Sequence, residues 1–287
     1  MSYLHHIRHC NNFQATHFHP FIIEGQCYGE IQPDFAQCLL QYTEVFQPFA
    51  ERGISFVSHL NDYASRSAVI APIIRELYQQ GVIDTWVGEA YPVTLDFEQP
   101  ALLEVERAAT FYLGVKTFGV HVNGLVRKAE GIYVWVGTRT LSKPFWPGKL
   151  DQMVAGGQPV GLGLLENVIK EAKEEAGIPA ELAAQAQYVG ALNYRQMNPR
   201  GLENSTIFVY DLWLAESFVP HNTDGEVARF DLLPLAEVAR LTETTADFKD
   251  NCNLVNIDLL LRTGFIGKEH PAYADLQQGL YHSLKPI

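Results

Sequence analysis

Residues 156–178 join a glycine-rich loop to a helix with three carboxylates on one face. This segment limits the architectures open to the chain more than any other feature. Gly156, Gly157 and Gly161 permit tight turns and close approach of the backbone to a ligand. The following text, Val160 to Ile178, reads as the loop running into a helix, with Gly177 as its C-cap. Glu171, Glu174 and Glu175 stand at i, i+3 and i+4 and so share a face. Val168, Ala172 and Ala176 lie opposite and can pack down. Candidate strands flank this helix at Phe118–Val126, Gly131–Gly137, Tyr188–Arg195 and Ser205–Leu214. Leu235–Leu241, Asn253–Arg262 and Tyr273–His282 read as late helices. Strands interleaved with helices predict an α/β or α+β sandwich.

The text changes character near residue 115, which divides the 287 residues into an N-terminal accessory domain, 1–115, and a second domain, 116–287. In the first, Pro20–Ile23 and Gln26–Ile31 flank Gly25 as a hairpin, and Pro33–Gln41 reads as a helix with Pro in its first turn. Asp62–Gln80 is a longer helix, capped by Asp62, striped by Ile70, Ile73, Ile74 and Leu77 and stopped by Gly81. Leu102–Tyr112 is a further helical candidate, ended by Gly114. His5, His6, His9 and Cys10 look zinc-like, but no second ligand pair recurs at zinc-finger spacing, so the expectation is a helix packed beside the hairpin.

Composition excludes several classes. The chain is 47% apolar and 19% charged, enough to bury a core. Its 33 acidic against 21 basic residues give a net charge of -12, which repels a polyanion, so no nucleic-acid partner is expected. No run of eighteen apolar residues marks a membrane helix, so no membrane partner is expected either. The N-terminus lacks a signal pattern, and Cys10, Cys27, Cys38 and Cys252 lie far apart, which suits a reducing cytoplasm.

Three neighbouring carboxylates repel one another by a few tenths of a kcal/mol per pair on an exposed helix. A divalent cation removes that repulsion, and hard oxygen ligands suit Mg²⁺ or Mn²⁺. Alone, Glu-x-x-Glu-Glu is most often a solvated face. The glycine loop before it changes the weighting. Together they resemble the Nudix box, Gly-x5-Glu-x7-Arg-Glu-U-x-Glu-Glu-x-Gly-U with U apolar. The match runs through Gly156, Glu171, Ala172, Glu174, Glu175, Gly177 and Ile178. Leu162 stands for the early glutamate and Lys170 for the arginine, which keeps the charge but loses the fork.

Trp146-Pro147-Gly148-Lys149-Leu150-Asp151, with Val154-Ala155-Gly156-Gly157, is similar to the thiamin pyrophosphokinase-related Nudix subfamily. Arg66-Ser67-Ala68, Glu89-Ala90-Tyr91-Pro92-Val93, Gly119-Val120-His121-Val122-Asn123-Gly124 and Asp224-Gly225-Glu226-Val227 carry the same resemblance across nearly the whole chain. It implies an α+β protein, a Nudix α/β/α sandwich behind a smaller N-terminal α+β domain. It implies hydrolysis of a small-molecule diphosphate, with oxo- or oxythiamin diphosphate as substrates of some members. Glu171, Glu174 and Glu175 would bind Mg²⁺, or Mn²⁺, with a backbone carbonyl near Gly156. Glu226 would complete the metal shell or act as general base, a role the box glutamates could also fill. Lys149 would touch the diphosphate, Trp146 would stack on an aromatic leaving group, Gly157 would let the backbone close on the ligand, and Arg195 would line the pocket. Arg139, Lys143, Tyr194 and Arg200 are weaker candidates. A homodimer is common among Nudix proteins. ADP-ribose or NADH hydrolysis, an isopentenyl diphosphate isomerase and a non-catalytic ligand-binding protein are the alternatives. The isomerase would need a pocket cysteine, and residues 39–251 hold none.

Overall fold

The computed structural model describes residues 1–281; His282, the end of the last expected helix, lies outside them. The N-terminal part runs α1 (Tyr3–Cys10), β1 (His19–Ile23), β2 (Gln26–Ile31), α2 (Pro33–Leu39), β3 (Phe46–Phe49), β4 (Gly53–Phe56), α3 (Tyr63–Gln79), β5 (Ala90–Val93), β6 (Leu103–Glu106) and α4 (Ala109–Leu113). The β1–β2 hairpin turns at Gly25, whose φ of 80° favours glycine. Asp62 caps α3 by accepting the Ser65 amide at 2.8 Å, and the buried stripe is Ile70, Ile73, Ile74 and Leu77. β1 to β4 form a sheet ordered β2-β1-β4-β3, and β5 pairs with β6.

The helix expected over Leu102–Tyr112 is a correction. Leu103 and Val105 are buried while Glu104 and Glu106 alternate with them, and that two-residue period makes a strand. Only Ala109–Leu113 is helical, closed by left-handed Gly114.

The second part runs β7 (Lys116–Lys128), β8 (Gly131–Arg139), β9 (Leu150–Gln152), β10 (Val154–Gly157), α5 (Leu164–Ala176), α6 (Ala180–Ala183), β11 (Gln187–Asn198), β12 (Gly201–Leu214), β13 (Val227–Pro234), α7 (Leu235–Thr244), α8 (Asp250–Arg262) and α9 (Tyr273–Tyr281). The sheet is ordered β11-β12-β7-β8-β13, with β10 on β7 and β9 on β8. Strand alternation sorts its side chains onto two faces. Val120, Val122, Val126 and Trp135 meet Val168, Ala172 and Ala176 of α5. Leu125, Val134, Val136, Ile207 and Val209 meet α7, α8 and α9. The result is an α/β/α sandwich with an N-terminal α+β unit, an α+β fold overall.

A second correction concerns α1. It does not lie beside the hairpin: Tyr3, Ile7 and Cys10 are buried in the core of α7 to α9. β13 was not legible as a strand, yet it pairs with β8 from Val227 to Pro234. Among the described residues no helix is long and apolar enough to cross a membrane.

Candidate active site

The glycine loop is a strand edge. β10 pairs with β7 so that Gly156 faces Val120 and Gly157 faces Gly119. α5 starts after Gly163, where the Glu166 carboxylate accepts the Gly163 amide at 2.9 Å, and lies against β10. Burial of Val168, Ala172 and Ala176 brings Glu171 and Glu175 to that edge. Glu175 is 6% exposed and accepts the Ala155 amide at 2.8 Å. A Cβ on Gly156 would overlap the Glu171 side chain, whose Oε1 would stand 2.8 Å from it, so only glycine fits there. Lys170 donates to Glu171 at 3.0 Å and to Glu174 at 2.8 Å, the bridging place that an arginine would take. Glu174 itself points outward, 46% exposed.

Charge explains what this arrangement suits. Burial pushes the Glu175 carboxyl up to about 8, and the Glu171 charge adds to it. Burial also raises Glu171. Two acids that resist ionisation, one buried and one half-buried beside a backbone edge, form an all-oxygen donor set that a hard divalent cation would relieve. A void of about 10 Å³ touches Glu175, Glu226, Lys143, Arg139 and Asp151, which is roughly one water in size. The donor set therefore fits the expected ion through Glu171 and Glu175, with Gly156 close by.

Among the described residues, the one trio with ligand atoms within 4.8 Å of one another lies elsewhere: His121, Asp151 and Cys252. It does not suit a cation. Arg139 donates to Asp151 at 2.8 Å and Lys249 approaches it at 3.9 Å, so the carboxylate is already neutralised by fixed positive charge.

A cavity of about 180 Å³ opens in front of the glycine edge. Its aromatic walls are Phe111, Phe118, Phe145, Trp146, Tyr91 and Tyr194. Trp146, Gly156, Gly157 and Glu226 all line it, as do Arg139, Lys143 and Tyr194. Glu226 is held there by an ion pair with Lys143. Trp146 takes a left-handed φ of 48°, a costly conformation for a tryptophan, held by its carbonyl's bond to Arg139 Nε at 3.0 Å. Two expected substrate contacts are corrected. Lys149 turns away, donates to the Ala246 carbonyl and lines a different depression. Arg195 faces Glu30 at 3.6 Å and covers the Phe13 ring, so the N-terminal unit occupies it. Arg200 likewise bonds Asp84 at 2.8 Å.

The sequence does not single out Tyr91 and Arg107, which line this cavity, or Asp151, which lines the small void beside it. Asp151 and Tyr91 do stand in the resemblance phrases around Trp146 and Ala90, the signal that could have found them. Arg107 stands in no such phrase and had no signal.

Two sequence-family models match. A domain of unknown function, DUF4743, matches residues 2–117, and the NUDIX domain matches residues 117–252. The chain is 41% identical over 265 residues to Nudix hydrolase 24, chloroplastic, of Arabidopsis thaliana, covering 92% of this chain and 72% of that protein. The chain belongs to the Nudix hydrolases. Nudix hydrolase 20, chloroplastic, of the same plant is 40% identical, with 96% and 76% covered. A MutT protein of Methanosarcina mazei Go1 superposes with a TM-score of 0.38 and 17% identity, over 50% of this chain and 94% of that one. Nudix hydrolases use divalent metal ions, and the donor set on α5 is where this one would hold its own.

The buried trio gives the Nudix domain a measurable pH signature. Burial lowers His121 from 6.5 to about 4, and the Lys249 charge adds to it. A base with a depressed folded pKa contributes stability above its unfolded pKa and loses it as pH falls from 6.5 to about 4. The full span corresponds to about 3 kcal/mol. His121→Asn keeps a donor toward Gln152, which His121 Nδ1 meets at 2.7 Å. Denaturant titrations of this variant should show a flatter loss of stability between pH 6.5 and 4 than the parent. An unchanged slope would refute the assignment.

Proposed function

We propose that this chain is a divalent-metal-dependent diphosphatase, using Mg²⁺ or Mn²⁺, that splits a small organic diphosphate into its monophosphate and phosphate. The observation carrying this reading is buried Glu175 and half-buried Glu171 beside Gly156, at the mouth of an aromatic cavity. When bound, the metal would polarise the phosphorus and lower the pKa of an attacking water. The chain's own residues do the rest. Glu171 and Glu175 supply oxygen ligands, and Lys170 holds Glu171 and Glu174 in place. Glu226, on the cavity wall, is the acid we assign as general base, positioned by Lys143. Trp146 and Phe145 offer aromatic faces to the leaving group. The N-terminal unit, residues 1–115, serves as an accessory domain that walls the cavity.

We take oxidised thiamin diphosphates as the finer substrate assignment. A cavity with this many aromatic rings suits a heteroaromatic leaving group, and the family resemblance points the same way. We also propose a reducing compartment, since all four cysteines are free thiols.

The purified protein should be incubated with Mg²⁺ and thiamin, oxothiamin and oxythiamin diphosphates, ADP-ribose and NADH, and the products identified. Monophosphate should form fastest from the oxidised thiamin diphosphates, and only with the metal. Preference for ADP-ribose or NADH would discard the thiamin assignment, and turnover without metal would discard the mechanism.

A further inference from the structure

We propose that the N-terminal unit completes the substrate site, with Arg107 and Tyr91 binding a phosphoryl group of the diphosphate. The proposal rests on the diphosphatase reading and adds residues outside the Nudix domain to it.

β5 and β6 bring these side chains onto the glycine edge. The Ala90 carbonyl accepts the Val160 amide at 3.0 Å, which ties the strand pair to the loop before α5. A Cβ on Gly157 would overlap the Tyr91 hydroxyl and stand 3.3 Å from Cζ of Arg107. Glycine at 157 thus leaves room for a tyrosine and a guanidinium from another part of the chain. Both line the cavity.

The Tyr91 hydroxyl is buried and has no hydrogen-bond partner among the described residues, while the residue is 3% exposed. A buried unpaired hydroxyl costs about 1–3 kcal/mol unless a ligand satisfies it. Burial pushes this phenol up to about 12, so it stays a donor at neutral pH.

Four cations line the cavity: Arg107, Arg139, Lys143 and Lys249. Arg139 spends its donors on Asp151, Trp146 and Phe145. Lys143 is engaged by Glu226, and Lys249 sits 3.9 Å from Asp151. Arg107 uses only Nη1, which donates to Glu89 at 2.8 Å, leaving the rest of its fork open among the described residues. A planar fork with spare N–H groups matches phosphate oxygens in a way an ammonium does not. On an acidic chain, a guanidinium with N–H groups to spare beyond its Glu89 pair, beside the metal-binding acids and an unpartnered phenol, is a local anion site.

The test is calorimetric binding of methylenediphosphonate with Mg²⁺, beside thermal unfolding of each variant. Arg107→Gln should weaken binding at least tenfold. Arg107→Lys should recover part of that loss, and Tyr91→Phe should cost about threefold. Glu89→Gln, which removes the ion pair but keeps the guanidinium, should change binding less than threefold. Equal binding by Arg107→Gln and the parent would overturn the clamp, as would no binding by the parent. A Glu89→Gln loss as large as that of Arg107→Gln would also overturn it, since Arg107 would then only brace β5 and β6. An Arg107-dependent anion site in a protein that hydrolyses no organic diphosphate would sustain the clamp and sink the diphosphatase reading instead.

Discussion

Glu175→Gln is expected to lower metal-dependent turnover by on the order of a hundredfold, about 3 kcal/mol of transition-state stabilisation, while leaving the fold intact. The amide matches the carboxylate in shape, and its oxygen can still accept the Ala155 amide. The sign of the stability change separates this from unfolding. Burial raises the Glu175 carboxyl to about 8, above its ordinary value of 4.5. An acid with a raised folded pKa contributes its stability below 4.5 and loses it as pH rises through 8. The glutamine has no such loss. Metal-free Glu175→Gln should therefore unfold at a higher temperature than the metal-free parent at pH 9, and match it near pH 4. Added Mg²⁺ should stabilise the parent at pH 9, because the folded state alone binds it, and should do so less for the variant. A fully active, metal-dependent Glu175→Gln protein would sink the assignment.

That helix was legible because its information is local. Three acids at i, i+3 and i+4, small apolar residues at 168, 172 and 176 and a glycine at each end mark a helix that packs on one side, and Glu175 goes down with that side. The strands around it were legible for the same reason, since Val120, Val122 and Val126 alternate onto one face. Leu103–Glu106 misled because charged and apolar residues mixed within eleven positions fit a helix as readily as a strand. The two-residue alternation at 103–106 is only four residues long, and pairing with β5 fixes it as a strand.

The cavity was less legible because its walls come from distant text. Tyr91, Phe118, Trp146 and Glu226 meet only after β5 docks on the glycine edge and β13 closes on β8. Lys149 shows the limit of sequence proximity. It lies seven residues before Gly156, yet the turn at Trp146-Pro147-Gly148 sends it toward Ala246, and the positive charge at the cavity comes from Arg107, Arg139, Lys143 and Lys249 instead.

Asp151→Asn should be the most destabilising single change near the site, by about 3–5 kcal/mol. Asp151 is 6% exposed and is the acid shared by Arg139 at 2.8 Å and Lys249 at 3.9 Å. It also accepts the Cys252 thiol and the Gln152 amide, each at 2.9 Å. Burial alone would raise its carboxyl, but Lys249 and Arg139 outweigh that and hold it well below the usual range. Removing the carboxylate leaves two cations facing each other away from water. An acid with a depressed folded pKa gives its stability above the unfolded value near 3.8 and loses it below. The gap between variant and parent should thus be widest above pH 5 and shrink toward pH 2. The effect should reach the cavity. Arg139 uses its other two donors to hold the carbonyls of Phe145 at 2.8 Å and Trp146 at 3.0 Å, so it fixes the loop that carries Lys143 and both rings. An Arg139 without its acid would loosen that loop and raise KM more than it lowers kcat. Arg139→Lys keeps the charge beside Asp151 but cannot span both carbonyls. It should raise KM as well, with a smaller loss of stability. A rise in KM in both variants, with a loss of stability in both that is larger in Asp151→Asn, would show that one guanidinium serves the fold and the substrate pocket; an unchanged KM in Arg139→Lys would refute it.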